Sequence, residues 1–93
     1  MKVAIVPAYN EEKTIGEVVR RLKKLNFEVV VVDDCSRDRT YEFAKREGAI
    51  VIRHEKNKGK GFGLRSGIEY VLENMPNVKY LLFIDADLQH LPE

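Results

Sequence analysis

Four consecutive valines, at residues 29–32, constrain the fold of this chain more than any other feature. Four β-branched side chains in a row disfavour a helix and suit a strand that is buried on both faces. Strands of this kind occur in parallel sheets whose two faces are covered by helices. The rest of the chain is therefore expected to supply further parallel strands and the helices that cover them.

Three further apolar runs have the length and composition of strands. They are residues 3–6, which Pro7 closes, residues 49–52, and residues 80–84. The last run stops abruptly at Asp85 and is predicted to be a central strand, covered on both faces.

The first helical segment begins at a capping box formed by Thr14 and Glu17, and Asn26 ends it. Its apolar residues recur at helical spacing and define one face. These residues are Ile15, Val18, Val19, Leu22 and Leu25.

Two more helical segments follow. One covers residues 40–47, with Ser36 or Asp38 as its cap and Gly48 after its end. The other ends at Pro76. The apolar face of this third helix is formed by Leu64, Ile68, Val71, Leu72 and Met75.

Strands and helices that alternate with short connections predict one α/β domain over residues 1–93, in the order β-α-β-α-β-α-β. This alternation implies a parallel sheet with right-handed crossovers and helices on both faces, as in Rossmann-like folds. Ligands of such sheets bind outside the carboxyl ends of the strands. The polar residues that follow each strand are therefore expected to meet at one edge.

Composition narrows the classes of partner. The net charge of +1 gives no argument for binding nucleic acid or an anionic membrane. Cys35 is the single cysteine, which excludes an internal disulfide and fits a reducing compartment. No apolar run approaches the roughly 20 residues that span a bilayer. These observations predict a cytoplasmic protein that does not bind nucleic acid.

Asp85 and Asp87 are the strongest candidate ligands at the predicted edge. Two carboxylates suit Mg²⁺ or Mn²⁺, which prefer oxygen and often share their sites with phosphate. Both face one site if the strand continues through Asp87, and they take different roles if the chain turns after Asp85. The pattern alone also fits a solvated turn or a helix cap. Gln89 and His90 follow as further candidate ligands.

Asp33 and Asp34 stand at the end of the valine strand. A carboxylate there could bind a metal, accept hydrogen bonds from a base or a ribose, or cap the next helix. We expect one of the pair to be structural and assign the functional role to Asp34.

A glycine-rich basic segment, residues 57–63, precedes the third helix. Glycines let the backbone approach a ligand, helix N–H groups attract anions, and Lys60 or Arg65 could pair with phosphate. The segment matches neither the Walker A pattern nor the dinucleotide fingerprint, and a flexible basic turn is the plain alternative.

Tyr9 and Glu11 follow the first strand. Tyr9 could stack on a base, or be a partly buried core aromatic, and Glu11 could accept a hydrogen bond from a base. His54 and Cys35 are interpreted as structural. Taken together, the strand ends predict a diphosphate held by a divalent metal, with a nucleoside across the first two strand ends. The predicted ligand is therefore nucleotide-linked.

Four segments carry a resemblance to a known family. They are residues 6–12, 31–40, 57–67 and 85–90, spread over nearly the whole chain. In this order they resemble the family 2 glycosyltransferases of the GT-A fold. The sequence of residues 85–90, Asp-Ala-Asp-Leu-Gln-His, looks most like the branch that transfers sugars to polyprenyl phosphates, such as dolichyl-phosphate mannose synthase.

The resemblance implies roles for individual residues. The match to Asp34 would contact the base, and Asp85 and Asp87 would form the Asp-x-Asp motif that binds the sugar nucleotide and Mg²⁺ or Mn²⁺. Gln89 would join the metal shell. The nucleotide pocket would be lined by Pro7, Ala8, Tyr9 and Glu11.

The resemblance also implies a reaction. An acceptor attacks the anomeric carbon of a UDP- or GDP-linked sugar with inversion, and the metal stabilises the departing phosphate as a Lewis acid. The implied acceptor is a polyprenyl phosphate, which would place a longer parent protein at the cytosolic face of a membrane.

The chain departs from the family in two ways that matter. Cys35 stands where the family usually has glycine, which argues slightly against a turn that needs the glycine conformation. The family's catalytic domain is roughly twice this length or more, in line with common domain sizes. The 93 residues are therefore expected to be the N-terminal, nucleotide-binding half of a GT-A domain, without a catalytic base and unable to transfer sugar alone.

The main alternative is a non-catalytic nucleotide-binding or regulatory module that associates with copies of itself through an exposed strand edge. Receiver domains and Asp-x-Asp phosphatases fit less well, since both place their acidic residues after the first strand. Sugar nucleotidyltransferases share the architecture but need a glycine-rich loop where this chain has residues 7–11.

Overall fold

Four strands and three helices alternate along residues 1–86, the part of the chain that the computed structural model describes, with Lys60 described by its backbone alone. Their bounds are β1 Lys2–Ala8, α1 Ile15–Lys24, β2 Phe27–Asp33, α2 Thr40–Arg46, β3 Ile50–Arg53, α3 Lys60–Asn74 and β4 Tyr80–Phe83. The predicted order of elements and the α/β class are confirmed.

The four strands form one parallel sheet in the order β3-β2-β1-β4. The chain adds strands on one side of β1 as far as β3 and then crosses to the other side for β4. Strand order therefore reverses between β1 and β4. In open α/β sheets, the crevice at such a reversal is where ligands bind.

Helices cover both faces of the sheet, as the valine run predicts. On the face of α1 and α2, the inner side chains include Val29 and Val31. On the face of α3, they include Val30 and Val32. Because strand side chains alternate between faces, each valine of the run is buried against one helical layer or the other.

Gly67 lets α3 lie close against β1. A Cβ at this position would stand 2.5 Å from Cγ2 of Ile5, much closer than carbon atoms pack. The close approach brings the N-terminal part of α3 to the carboxyl end of β1, where the crevice lies.

The prediction that the first strand ends at Pro7 is wrong. Strand β1 continues to Ala8, and Pro7 pairs with Val32. Ala8 accepts a hydrogen bond from the amide of Asp34, on the β2 side. The backbone N–H and C=O groups of alternate strand residues point to opposite neighbouring strands. The backbone nitrogen of Pro7 therefore points toward β4, which has already ended at Phe83. The missing N–H of Pro7 therefore costs no ladder hydrogen bond.

The prediction that the fourth strand is central is wrong for the described residues. Within residues 1–86, β4 pairs with β1 alone and forms one edge of the sheet. Phe83 is 45% exposed, and Tyr80 and Leu81 are also exposed. An apolar run predicted this strand correctly but did not predict its position in the sheet.

Leu72 was predicted on the buried face of the third helix and is instead 72% exposed. It lies about 100° around the helix from Val71, the α3 residue that is almost fully buried against the sheet. Apolar spacing alone therefore predicted a wider buried face for α3 than the structure has.

The predicted capping box of the first helix is also wrong. The side chain of Glu17 is paired with Arg21 at 2.7 Å, and no side chain caps α1. Asn26, with φ of 66°, ends the helix in the left-handed conformation that asparagine tolerates, as predicted. For the second helix, Asp38 accepts a hydrogen bond from the amide of Thr40, whereas the alternative cap, Ser36, binds elsewhere.

No helix within residues 1–86 has the length and apolar character that crossing a membrane requires.

Candidate functional site

A cleft of about 260 Å³ opens at the strand-order reversal between β1 and β4. It is formed by the ends of these two strands, the end of β2 and the start of α3. The residues that line the cleft are Pro7, Ala8, Tyr9, Glu11, Asp34, Gly59, Gly63, Asp85 and Ala86. The structure thus brings together Asp34, Asp85 and the four residues of the nucleotide pocket that were predicted after the first apolar run: Pro7, Ala8, Tyr9 and Glu11.

The loop after β1 is held in place by the loop after β2. The amide of Asn10 donates to Oγ of Ser36, and Oδ1 of Asn10 accepts from the amide of Arg37, each at 2.9 Å. Asn10 has φ of 53°, a left-handed conformation in which asparagine is favoured over most residues. Asn10 was not among the predicted site residues, although an asparagine in a loop before a helix is a signal for such a conformation.

Thr40 and Asp38 extend this connection between the two loops. The hydroxyl of Thr40 accepts from the amide of Glu11 at 2.8 Å, and Oδ2 of Asp38 accepts from the amide of Glu12 at 3.2 Å. Burial opposes the charged form of Asp38, but hydrogen bonds from Thr40 and Glu12 outweigh it and lower its pKa. The backbone that carries Tyr9 and Glu11 is therefore fixed by the second loop.

Asp34 closes the base of the cleft with an almost fully hydrogen-bonded carboxylate. Its Oδ1 accepts from the amide of Lys58 at 2.8 Å and lies 2.9 Å from Nδ1 of His54, while Oδ2 accepts from the amide of Gly59 at 2.8 Å. Burial opposes the charged form, but the hydrogen bonds from these three groups outweigh it and lower the pKa of Asp34. Asp34 is thus ionised at neutral pH and fixes the glycine-rich segment against β2.

His54 extends the contacts of Asp34 to α3. The ring is 7% exposed, and its Nε2 lies 2.8 Å from Oγ of Ser66. Phe62 packs edge-on against it, with ring centroids 6.2 Å apart. His54 was predicted to be structural, and no spacing in the sequence indicated that Asp34, His54 and Ser66 would form one hydrogen-bonded chain.

Asp33, the other half of the acidic pair, faces away from the cleft. Its Oδ1 accepts from the amide of Ser36 at 3.0 Å, and its Oδ2 lies 3.8 Å from Nε of Arg53. Neither Asp33 nor Asp34 caps α2. These contacts give Asp33 a structural position in the turn after β2.

The residue at the turn after β2 adopts the left-handed conformation that glycine favours. The presence of Cys35 had argued slightly against this conformation. Cys35 has φ of 65°, and its Sγ lies 3.3 Å from the carbonyl oxygen of Glu55. This residue therefore occupies the left-handed region at a steric cost that glycine would avoid.

Asp85 lies just beyond the end of β4, on the wall of the cleft. The amide of Ile84 still donates to the carbonyl oxygen of Ile5, at 3.1 Å. Because β4 ends at Phe83, strand alternation does not set the direction of the Asp85 side chain. Asp87, Gln89 and His90 lie outside the described residues, and within residues 1–86 no three His, Cys, Asp or Glu side chains gather to hold a metal.

The N-terminus of α3 borders the cleft, since Gly59 and Gly63 line it. Gly59 has φ of 88°, which strongly favours glycine. A helix N-terminus with free amides favours an anion. Arg65 lies on an exposed face of α3, where its Nε is 3.2 Å from Oε1 of Glu69, so the structure does not bring it into the cleft wall.

A parallel sheet with an acidic cleft at its strand-order reversal, beside a glycine-led helix, is the architecture of the nucleotide-binding α/β proteins. The chain belongs to glycosyl transferase family 2, whose sequence model matches residues 3–93. The family resemblance and the fold predicted from sequence are therefore confirmed.

Two relatives illustrate the range of the family. An uncharacterized protein of Methanocaldococcus jannaschii, MJ1222, is 50% identical over 96% of this chain and 36% of its own length. The dolichol-phosphate mannosyltransferase of Pyrococcus furiosus is 41% identical over all of this chain and 28% of its own length. The chain thus spans well under half the length of the curated relatives it matches.

Two solved structures have the same fold. Glucosyl-3-phosphoglycerate synthase of Mycobacterium tuberculosis, in complex with Mn²⁺, UDP and glucosyl-3-phosphoglycerate, has a TM-score of 0.72 and 29% identity over 92% of this chain and 33% of its own. The mannosyltransferase PcManGT of Pyrobaculum calidifontis, in complex with GDP-Man and Mn²⁺, has a TM-score of 0.72 and 25% identity over 91% of this chain and 27% of its own. These neighbours are GT-A glycosyltransferases, and they bind different nucleotides.

Proposed function

We propose that this chain forms the nucleotide-sugar-binding part of an inverting glycosyltransferase that uses Mg²⁺ or Mn²⁺ and transfers a sugar to a polyprenyl phosphate. One observation carries the proposal: Asp34 and Asp85 line the same cleft, at the strand-order reversal of a glycosyl transferase family 2 chain. The 93 residues are proposed to bind nucleotide weakly and not to transfer sugar alone.

The nucleoside would occupy the side of the cleft formed by β1 and β2. Tyr9 is 43% exposed, which leaves its ring available for stacking on a base. Asp34 would accept a hydrogen bond from the base, since its carboxylate is ionised and lines the cleft. Pro7, Ala8 and Glu11 line the same cleft.

The diphosphate would lie toward β4 and the N-terminus of α3. Asp85 is proposed to bind the metal together with Asp87 and Gln89, and Lys60 and Arg65 are proposed to add positive charge near the phosphates. A bound divalent ion would neutralise the charge that develops on the departing phosphate. The exposed position of Arg65 beside Glu69 means that its side chain would have to turn to reach a phosphate.

A polyprenyl phosphate is proposed as the acceptor because of the sequence of residues 85–90 and because the names of several relatives specify polyprenyl phosphates. They include the Pyrococcus furiosus mannosyltransferase and an undecaprenyl-phosphate 4-deoxy-4-formamido-L-arabinose transferase of Pseudomonas aeruginosa. A lipid-linked acceptor would place the reaction at the cytosolic face of a membrane.

Calorimetric titration tests the proposal. UDP, GDP and their sugars are titrated into the 93-residue chain with Mn²⁺ or with a chelator. We expect Mn²⁺ to lower the Kd of the nucleotide by about tenfold or more. In the Asp85→Ala and Asp87→Ala variants, the Kd should no longer depend on Mn²⁺. Glu73→Ala, on an exposed part of α3, is the matched carboxylate control.

Two results would contradict the proposal, one from this titration and one from an assay of sugar transfer. Wild-type chain that binds no nucleotide under any of these conditions would refute the nucleotide site. Sugar transfer by the 93 residues that depends on Asp87 would refute the statement that they are inactive alone.

The second candidate is a nucleotide-binding module that associates with copies of itself, without catalysis. The edge position of β4 and the exposure of Tyr80, Leu81 and Phe83 favour it. The two candidates share the nucleotide site, and they differ in whether the protein transfers sugar.

A further inference from the structure

The contacts of Asp34 bear on which base the cleft accepts, a question that the fold leaves open because its solved relatives hold UDP or GDP-Man. An ionised carboxylate has about four acceptor positions, two on each oxygen. Oδ1 accepts from the amide of Lys58 and from His54, and Oδ2 accepts from the amide of Gly59. Among the residues that the structure describes, three positions are therefore used, and one remains, on Oδ2.

His54 is the side chain that decides this count. A carboxylate only accepts, so Nδ1 of His54 carries the hydrogen, and in the neutral ring Nε2 accepts from the Ser66 hydroxyl. The ring is buried and bound at both nitrogens, so it cannot turn away without losing two hydrogen bonds. Ser66 on α3 thus holds His54, and His54 holds Oδ1 of Asp34.

The two common bases differ in what they offer to a carboxylate. Uracil presents one ring N–H between two carbonyl groups. Guanine presents a ring N–H and an adjacent amino N–H, which match a carboxylate with both oxygens available. Buried polar groups that lack partners weaken binding strongly, so a carboxylate with one free acceptor position favours the single donor.

We propose that His54 and Ser66 are positioning residues that leave Asp34 one open acceptor position, and that the cleft consequently prefers a uracil nucleotide to a guanine nucleotide. This inference rests on the proposed nucleotide site and specifies its base. Neither His54 nor Ser66 needs to touch the nucleotide, since both act through Asp34.

Two substitutions at His54 separate its two hydrogen bonds. His54→Asn places an amide N–H near the position of Nδ1, which keeps the bond to Asp34 and loses the bond to Ser66. His54→Gln reaches the position of Nε2, which keeps a partner for Ser66 and frees Oδ1. Ser66→Ala removes the hydroxyl and leaves the ring in place. Thermal unfolding of each variant shows whether it is folded.

The measurement is the ratio of the Kd values for GDP and UDP, each titrated into the full 93-residue chain with Mn²⁺. We expect wild type to bind UDP at least about tenfold more tightly than GDP, the effect of one well-placed hydrogen bond. His54→Asn should keep most of this ratio, whereas His54→Gln should lower it toward one by gaining affinity for GDP. Ser66→Ala should give an intermediate ratio.

A merely structural role for His54 would weaken both nucleotides equally and leave the ratio unchanged, which would overturn the inference. Equal or tighter binding of GDP by wild type would also overturn it and leave the proposed nucleotide site intact. Absence of binding by either nucleotide would overturn the proposed function and this inference together.

Discussion

The hydroxyl of Thr14 donates a 2.6 Å hydrogen bond to the carbonyl oxygen of Ala86, 72 residues further along the chain. It joins the start of α1 to the segment that carries Asp85 into the cleft. The same side chain was expected to cap its own helix. The bond instead fixes the segment after β4, where the strand no longer supports it.

Replacing Thr14 with valine should lower the free energy of unfolding by about 1–2 kcal/mol, because the carbonyl of the buried Ala86 loses its donor. Thr14→Ser keeps the hydroxyl and should remain close to wild type. Urea unfolding of the three chains measures the difference. Equal stability of the valine and serine variants would show that the bond does not stabilise this segment.

Gly67→Ala should destabilise the chain by about 1–3 kcal/mol, since its methyl group would overlap Ile5 and push α3 away from β1. Gly61→Ala is the matched control on the same helix. A Cβ there meets nothing within 4 Å, so the change should be neutral or stabilising by up to about 1 kcal/mol. Chemical denaturation compares the two, and the prediction is wrong if both variants lose stability equally.

Asp38 should make the stability depend on pH below neutrality. Its pKa in the folded chain is lowered, whereas in the unfolded chain it is about 3.9. The stabilisation is therefore complete above the unfolded value and is lost as the pH falls through the folded one. Asp38→Asn should be less stable than wild type at pH 7, and the gap should shrink between pH 5 and pH 3.

Urea unfolding at several pH values measures that gap. Glu28→Gln, at an exposed position of β2, serves as the control and should follow the wild-type profile. A gap between wild type and Asp38→Asn that stays constant down to pH 3 would argue against the ionised, hydrogen-bonded state of Asp38.

The free edge of β4 should support self-association of the 93-residue chain. Within residues 1–86 this edge has no strand partner, and Phe83 is exposed on it. Phe83→Glu should shift the chain toward monomer in sedimentation velocity runs at increasing concentration. Leu72→Glu makes the same kind of change on α3 and should leave the distribution between monomer and larger species as in wild type. A wild-type chain that stays monomeric at high concentration would rule out this association.

Much of the fold followed from local patterns. Four β-branched valines have few options other than a strand buried on both faces, and the carboxyl ends of parallel strands must meet at one edge. Tyr9, Asp34 and Asp85 were therefore expected at one site from their places after strands, and the cleft does bring them together. Their proposed roles remain predictions.

Patterns that depend on distant partners were predicted less well. Leu72 has the spacing of a core residue but faces solvent, because burial depends on which side of α3 meets the sheet. Thr14 has the spacing of a capping box, but its oxygen accepts no cap hydrogen bond and its hydroxyl donates to the carbonyl oxygen of Ala86. In each case a contact across the fold, rather than the local propensity, decided the outcome.

The sequence by itself determined the parallel α/β order, the two-faced burial of β2 and the set of polar residues at the carboxyl edge. These features follow from side-chain shape and spacing along the chain, which are local properties. Only the tertiary structure decided that β4 lies at the edge of the described sheet and that Asp34, His54 and Ser66 form one hydrogen-bonded chain. Those arrangements depend on the strand order and on the packing of α3 against β1, which bring together groups that the sequence keeps apart.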